Sequence, residues 1–423
     1  MKTDPVLVVG TTADYIDLIE RKFPGRALFL TAPEERARAD GYPAPEAEVL
    51  SPLELSAARE ALARRREETG VRPAGVACFD CESLLLAAGL AGCFSLPFVS
   101  PEAVLASRDK HLSKKLWREA GLPCPESRLV REAEEAVELI RANGRPAVLK
   151  PLTGSGSELI FTCREAEDCR EGFALLREKL AGHPNRRMYE RQGEVDPRTV
   201  FAAEELVEGE EWSCDFSLDP RRGAQIVRLT RKVPAREHSF GTVLAYRLAP
   251  ELPAGLDQDS FLRQLEEAAR ALGIGRSICM LDFIAAGGEA KMIELTPRPG
   301  GDCLVALSRH GGGFEILGYA LDFAVGREQA PPPLGQWEPL AGLHLLAPRG
   351  GTIREIDAAG ILADPRVREC VLTARSGDRV AMPPDDYASR RLGHAVFLPR
   401  TGDLENECRE LAGKLRLKFE DEL

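Results

Sequence analysis

The stretch that most constrains the fold is Lys291–Asp302, KMIELTPRPGGD. Met292–Leu295 reads as a short buried strand, and strand periodicity sets Glu294 and Thr296 on one face, with Arg298 two residues beyond. The run breaks at Pro299-Gly300-Gly301, so its charged side chains fall where strand gives way to loop. Upstream, Asp282 lies in the apolar run Cys279–Ala286, which ends at Gly287-Gly288. Apolar run, glycine turn, apolar run is a hairpin signal, and a hairpin of this length can bring Asp282 beside Glu294. Two carboxylates held together on apolar strands are costly unless a cation or a proton lies between them. Mg²⁺ carried by nucleotide phosphates is the natural cation, because it takes few carboxylates and keeps phosphate oxygens and water. Arg298 would then face the same phosphates. The bland alternative is an ordinary hairpin with a solvated Glu and Arg.

The remaining chain must build a scaffold around that hairpin. At 423 residues it is long enough for two or three domains. A net charge of −11, with no block of Lys and Arg, argues against nucleic acid as the main partner. Arg64-Arg65-Arg66 is followed at once by Glu67-Glu68 and reads as a solvated helix face. The apolar strand after Asp4 does not resemble a signal peptide. Leu84–Val99, interrupted by Gly89, Gly92, Ser95 and Pro97, is too short to span a bilayer and reads as a buried helix feeding a strand. No membrane contact is expected. The eleven cysteines are scattered; Cys78 and Cys81 form one CxxC without a partner pair, which argues against zinc and for a reducing, cytoplasmic setting.

Taken in order, Val6–Val9, Leu28–Leu30 and Gly75–Phe79 read as strands separated by helices, the pattern of a parallel α/β layer. Gly10 lacks the GxGxxG continuation, so no dinucleotide fingerprint is present. Ser107–Glu119 reads as one helix, Glu132–Asn143 as a second closed by Gly144, and Ala147–Lys150 as a strand. Thr153-Gly154-Ser155-Gly156-Ser157 follows, and then a strand over Leu159–Thr162. A glycine-serine loop after a lysine suits a flap offering backbone N–H groups and hydroxyls to phosphates, although a solvent-facing turn has the same composition. Phe201–Val207, Trp212–Leu218, Gln225–Thr230 and Thr242–Leu248 read as strands, Asp259–Leu272 and Arg309–Val325 as helices. Pro331-Pro332-Pro333 marks a boundary. The tail reads as a small cap with strands near Gly342–Ala347, Val371–Leu372 and Ala395–Leu398 and a final amphipathic helix.

The order and spacing of these features resemble the ATP-grasp superfamily, of carboxylate-amine ligase type and most like the dipeptide-forming L-amino-acid ligases. The resemblance implies an α/β fold: a Rossmann-like N-terminal domain at 1–104, an ATP-binding part at 105–330 with a small lid near 125–205, and a C-terminal extension at 331–423. It implies ATP with Mg²⁺ or Mn²⁺, small carboxylate and amine substrates, and a homodimer as one assembly. Lys110 and Lys150 resemble the lysines on ATP phosphates, and Gly154, Ser155, Gly156 and Ser157 the covering loop. Glu204 to Val207 resembles the adenine hinge, read through backbone groups of Glu205 and Val207, and Glu211 the ribose-binding acid. Asp282, Glu294 and Thr296 fall at the metal-ligand positions, and Arg298, with Lys150, at the catalytic ones. Thr296 departs from the family's usual asparagine at that position. Biotin carboxylases and purine-biosynthesis enzymes share the same parts, and a non-catalytic nucleotide-binding module is the reading from another class.

Overall fold

The computed structural model describes residues 4–36, 43–191 and 195–420. The N-terminal layer is a parallel sheet, Glu48–Leu50, Ala27–Thr31, Val6–Val9 and Gly75–Ala77 in spatial order. Its strands are nearly continuous apolar runs, as expected where helices cover both faces. Chain order reverses between Val6–Val9 and Gly75–Ala77, and the crevice beyond the carboxyl ends of such a pair is where ligands bind in open α/β sheets. Gly10, at φ 75°, ends the first of these strands. A Cβ there would lie 2.3 Å from Asp80 Oδ2, so glycine lets the loops after the two strands touch.

A second sheet, antiparallel, orders Ser127–Val130, Phe201–Glu205, Ala147–Pro151 and Phe161–Cys163 beneath helices Ala133–Asn143 and Ala166–Ala181. Both helices start with a capping box, Glu132 with Glu135 and Glu165 with Asp168. The third sheet has eight antiparallel strands. It runs Glu289–Thr296, Ser277–Ala286, Glu210–Asp219, Gly223–Pro234, Val243–Leu248, Ala341–Leu346, Arg391–Phe397 and Val367–Leu372. Three of these strands come from beyond the proline run, so the tail extends the central sheet. A three-stranded sheet, Arg379–Val380, Gly351–Asp357 and Arg416–Phe419, lies outside it.

Several boundaries differ from the sequence reading. The helix expected over Ser107–Glu119 is two, Pro101–Arg108 and Lys110–Glu119. Asp109 separates them and accepts hydrogen bonds from the His111 and Leu112 amides as N-cap. The helix expected over Arg309–Val325 is also two, Cys303–Gly312 and Ile316–Ala324, parted at Gly313 with φ 61°. The buried helix at Leu84–Phe94 leads into no strand, because Pro97 and the Ser100 cap carry the chain straight to the next helix. The strand expected at Leu159–Thr162 starts at Phe161, since buried Leu159 takes a left-handed φ of 54°. The strand Phe201–Glu205 stops before Val207.

The helix Ile316–Ala324 is buried almost throughout and shares one apolar cluster with Val6, Val8 and Ile16 of the N-terminal layer and Val227 and Ile278 of the central sheet, joining the two. Gly75 permits that approach, as a Cβ there would stand 2.3 Å from the Ala324 carbonyl oxygen. Each such apolar side chain, fully buried, contributes about 1.5–3 kcal/mol.

Candidate active site

Asp282 and Glu294 are directly opposed across the hairpin of strands Ser277–Ala286 and Glu289–Thr296, so their side chains leave the same face. The register continues sideways: Asp282 pairs with Ser213, and Ser213 with Thr230. A second polar row runs parallel to it through Thr296, Met280, Asp215 and Arg228.

In the first row, Lys232, two residues beyond Thr230, reaches Asp282 Oδ2 at 2.6 Å. Asp282 Oδ1 is buried and has no hydrogen-bond partner among the described residues. Lys110 lies 3.5 Å from Glu294 Oε1 and donates to the Gly154 carbonyl at 3.1 Å, tying the glycine loop to the hairpin. Burial pushes the Glu294 carboxyl up, but the ammoniums of Lys110, Lys114, Lys150 and Lys232 outweigh it and hold it below the usual range. Burial likewise opposes the charge of Lys232, and Asp282 overrides it, raising the ammonium pKa.

The second row positions Arg298. Arg228 and Asp215, both fully buried, form a two-point ion pair at 2.9 Å and 2.9 Å. Asp215 Oδ1 also accepts the Gly300 amide at 3.1 Å, which pins the turn just after Arg298. The Arg298 guanidinium contacts Cys81 Sγ through Nε and Nη2, at 3.1 and 3.0 Å, and donates from Nη1 to the Pro299 carbonyl at 2.8 Å. Cys81 of the CxxC thus abuts the arginine.

The glycine loop turns through left-handed backbone, which glycine adopts freely at Gly154 and Gly156 and which is strained only at Ser157. Glu158 anchors its end by accepting from the Tyr189 hydroxyl at 3.0 Å and meeting His183 Nε2 at 3.0 Å.

A cavity of about 480 Å³ joins these parts. Of the residues expected at the site, Lys110, Gly154, Ser155, Gly156, Ser157, Asp282, Glu294, Thr296 and Arg298 line it. Lys150, Glu204, Glu205, Val207 and Glu211 are not among its lining. Lys150 Nζ instead meets Glu204 Oε2 at 2.6 Å, and Lys114 Nζ meets Oε1 at 3.1 Å, all three side chains being buried. Burial opposes the Glu204 charge, yet the two ammoniums hold its pKa below normal. Glu205 pairs with Arg145 at 2.9 Å, and its amide donates to the Glu126 carbonyl.

Sequence reasoning missed Lys114, although it lies one helical turn after Lys110, and Lys232, which was visible only as part of Arg231-Lys232. It also missed the two walls of the cavity. Thr11, Thr12, Asp80 and Glu82 come from the N-terminal loops and Tyr15 from the helix Ala13–Lys22, while His344, Arg390 and Arg391 come from the tail. The Asp80 pKa is pushed up to about 6 by burial first and Glu82 second.

Residues 143–306 match the model of the ATP-grasp domain. The chain carries an ATP-grasp domain. Over its whole length it superposes on an L-amino acid ligase from Bacillus licheniformis with a TM-score of 0.76 and 16% identity, each chain covered to 100%. At that identity the likeness establishes the fold. In sequence it is 27% identical over 307 residues to the uncharacterized protein y4rH of Sinorhizobium fredii, covering 72% of this chain and 59% of that one. It is 26% identical over 226 residues to a D-alanine--D-alanine ligase of Delftia acidovorans, covering 50% of this chain and 63% of the relative. The chain therefore spans about six-tenths of the length of these curated relatives. Among the described residues no helix is long and apolar enough to cross a membrane.

The donors on the hairpin fit the metal expected with such a domain. Asp282 Oδ1 is an orphaned buried oxygen, Glu294 is held ionised, and Thr296 adds a hydroxyl. An all-oxygen set suits Mg²⁺ or Mn²⁺.

Proposed function

We propose that this protein is an ATP-dependent carboxylate–amine ligase that releases ADP and phosphate, with amino acids or small carboxylates as substrates. The observation that carries the reading is the orphaned Asp282 Oδ1 beside Glu294, facing a cavity shared with Lys110, Arg298 and the glycine loop. Asp282, Glu294 and Thr296 would hold the metal, which supplies positive charge against the terminal phosphates of ATP.

In this reading a substrate carboxylate oxygen attacks the γ-phosphorus, and the bond to the β-phosphate oxygen breaks to give an acyl phosphate and ADP. The amine nitrogen then attacks the acyl carbon, phosphate leaves, and the nitrogen loses a proton. The chain's contribution is position and charge. Lys110 and Arg298 balance charge on the moving phosphoryl group, and the glycine loop excludes water that would hydrolyse the acyl phosphate. Lys150, paired with Glu204, takes part in nucleotide binding if that pair opens toward phosphate. Backbone groups at Glu205 and Val207 and the Glu211 carboxylate serve the adenosine end.

The test is a pairwise screen of amino acids and small carboxylates, following ADP and phosphate together with the condensed product by mass. ADP formation that needs both a carboxylate and an amine is the expected result. ADP formation that depends on bicarbonate and biotin, with no amide from any pair, would favour the carboxylase reading, and ATP binding without turnover the non-catalytic one.

A further inference from the structure

Arg390 is 4% exposed and lines the active cavity. Its Nη2 donates to Thr242 Oγ1 at 2.7 Å and to Ser239 Oγ at 3.3 Å, both neutral acceptors. Its guanidinium stands 5.6 Å from the Tyr387 ring centroid. Among the described residues no carboxylate pairs with it, and burial together with Arg391 presses its pKa down. A guanidinium remains charged even so, and a buried charge without a counter-ion is costly unless a ligand provides one. Its neighbour Arg391 is already matched, with Nη1 at 2.8 Å from Asp302 Oδ2, which His344 Nε2 also meets at 3.0 Å. The unmatched positive charge on this wall therefore lies at Arg390.

Its placement points the same way. Thr242 and Ser239 belong to the turn whose Gly241 packs against Ser157 of the glycine loop, and Arg391 stands beside Gly156. An anion seated on Arg390 thus sits where the tail wall meets the covering loop. Asp80 and Glu82 lie on the N-terminal wall of the same cavity.

We propose that Arg390 is a specificity residue that receives an oxyanion of the substrate, a carboxylate or phosphate additional to the group that reacts. The inference rests on the ligase reading for the nature of the ligand and selects acidic or phosphorylated amino acids over neutral ones.

The experiment is isothermal titration of the full chain, saturated with Mg²⁺ and ADP, with L-glutamate against L-glutamine and with O-phospho-L-serine against L-serine. The same titrations are repeated on Arg390→Met and Arg390→Lys, with ADP affinity measured for each. We expect at least one anionic member to bind about 10-fold or more tightly than its neutral partner, the scale of one charge-assisted hydrogen bond. Arg390→Met should reduce that preference to within about twofold, Arg390→Lys should keep most of it, and ADP affinity should not change. Equal binding within both pairs, or a preference that survives in Arg390→Met, overturns the proposal. Weakened ADP binding with an unchanged preference also overturns it and assigns Arg390 to the nucleotide phosphates. Binding is read without turnover, so an anion preference in a protein that makes no amide leaves this subsite standing while the ligase reading falls.

Discussion

Residue pairs decide the chemistry here through how each buried charge is matched. Glu294→Gln keeps side-chain volume but removes one of two carboxylates beside the orphaned Asp282 oxygen. Turnover should fall at least about 100-fold, beyond the 10–100-fold typical of losing an outer-shell partner, while circular dichroism stays unchanged; near wild-type turnover with the same Mg²⁺ dependence would refute the metal assignment. Glu204 has a different role, because its carboxylate is the shared counter-ion of Lys114 and Lys150 in the interior, one negative charge against two positive ones. Glu204→Gln strands both ammoniums and should cost about 3–5 kcal/mol in denaturant unfolding. Since the folded pKa of Glu204 is depressed, its contribution is present above the unfolded carboxylate pKa and is lost as pH falls through the folded value. Asp80 runs the other way, its pKa raised to about 6. It should lose negative charge as pH drops through that value, so KM for an ammonium-bearing substrate should rise below about pH 6. Asp80→Asn should flatten that profile, and an unchanged profile would remove Asp80 from the substrate wall.

Hairpin and turn act together at the scale of elements. A one-residue slip between strands Ser277–Ala286 and Glu289–Thr296 would send Glu294 and Thr296 to the opposite face, so the register is what makes a site of them. The turn that follows is held by the buried Asp215–Arg228 pair through the Gly300 amide. A Cβ on Gly300 would lie 2.8 Å from Leu304 Cδ1 and 3.1 Å from both Arg228 Nη2 and Asp215 Oδ1. Gly300→Ala should therefore shift Arg298, lowering kcat by about tenfold, the equivalent of the lower part of the 1–3 kcal/mol range for overpacking. ADP affinity, measured by calorimetry, should be retained. A parallel loss of nucleotide binding would show that the turn supports the whole site rather than the arginine.

Over the whole molecule, the cavity exists because three parts of the chain converge. The N-terminal layer supplies Thr11, Tyr15, Asp80 and Glu82, the central sheet the hairpin, and the tail Arg390 and Arg391. Gly75→Val would force a side chain into the Ala324 carbonyl and disturb the docking of the first layer. ADP should still bind, since its expected contacts lie outside that layer, whereas ligation should fall more than about tenfold for an overpacking strain of about 1–3 kcal/mol. Full ligation in that variant would mean that the N-terminal wall does not hold substrate.

Local pattern was sufficient for much of this. Apolar runs and glycine stops and turns made the α/β layer, the helices after Glu132 and Asp257, and the Asp282–Glu294 hairpin legible, because each depends on residues close in the chain. The helix break at Asp109 was hard to read because helical composition continues on both sides, whereas the break at Gly313 was signalled by Gly311-Gly312-Gly313 and went unread. Not legible was the joining of the tail to the central sheet, a pairing of Val243–Leu248 with Ala341–Leu346 across nearly a hundred residues. Lys232 on Asp282, Cys81 on Arg298, and Lys114 and Lys150 on Glu204 are likewise products of tertiary structure. Sequence alone determined which residues could carry charge and which strands would present them. Which charge meets which, and which one is left facing a cavity unmatched, depends on distances that only the packed chain sets.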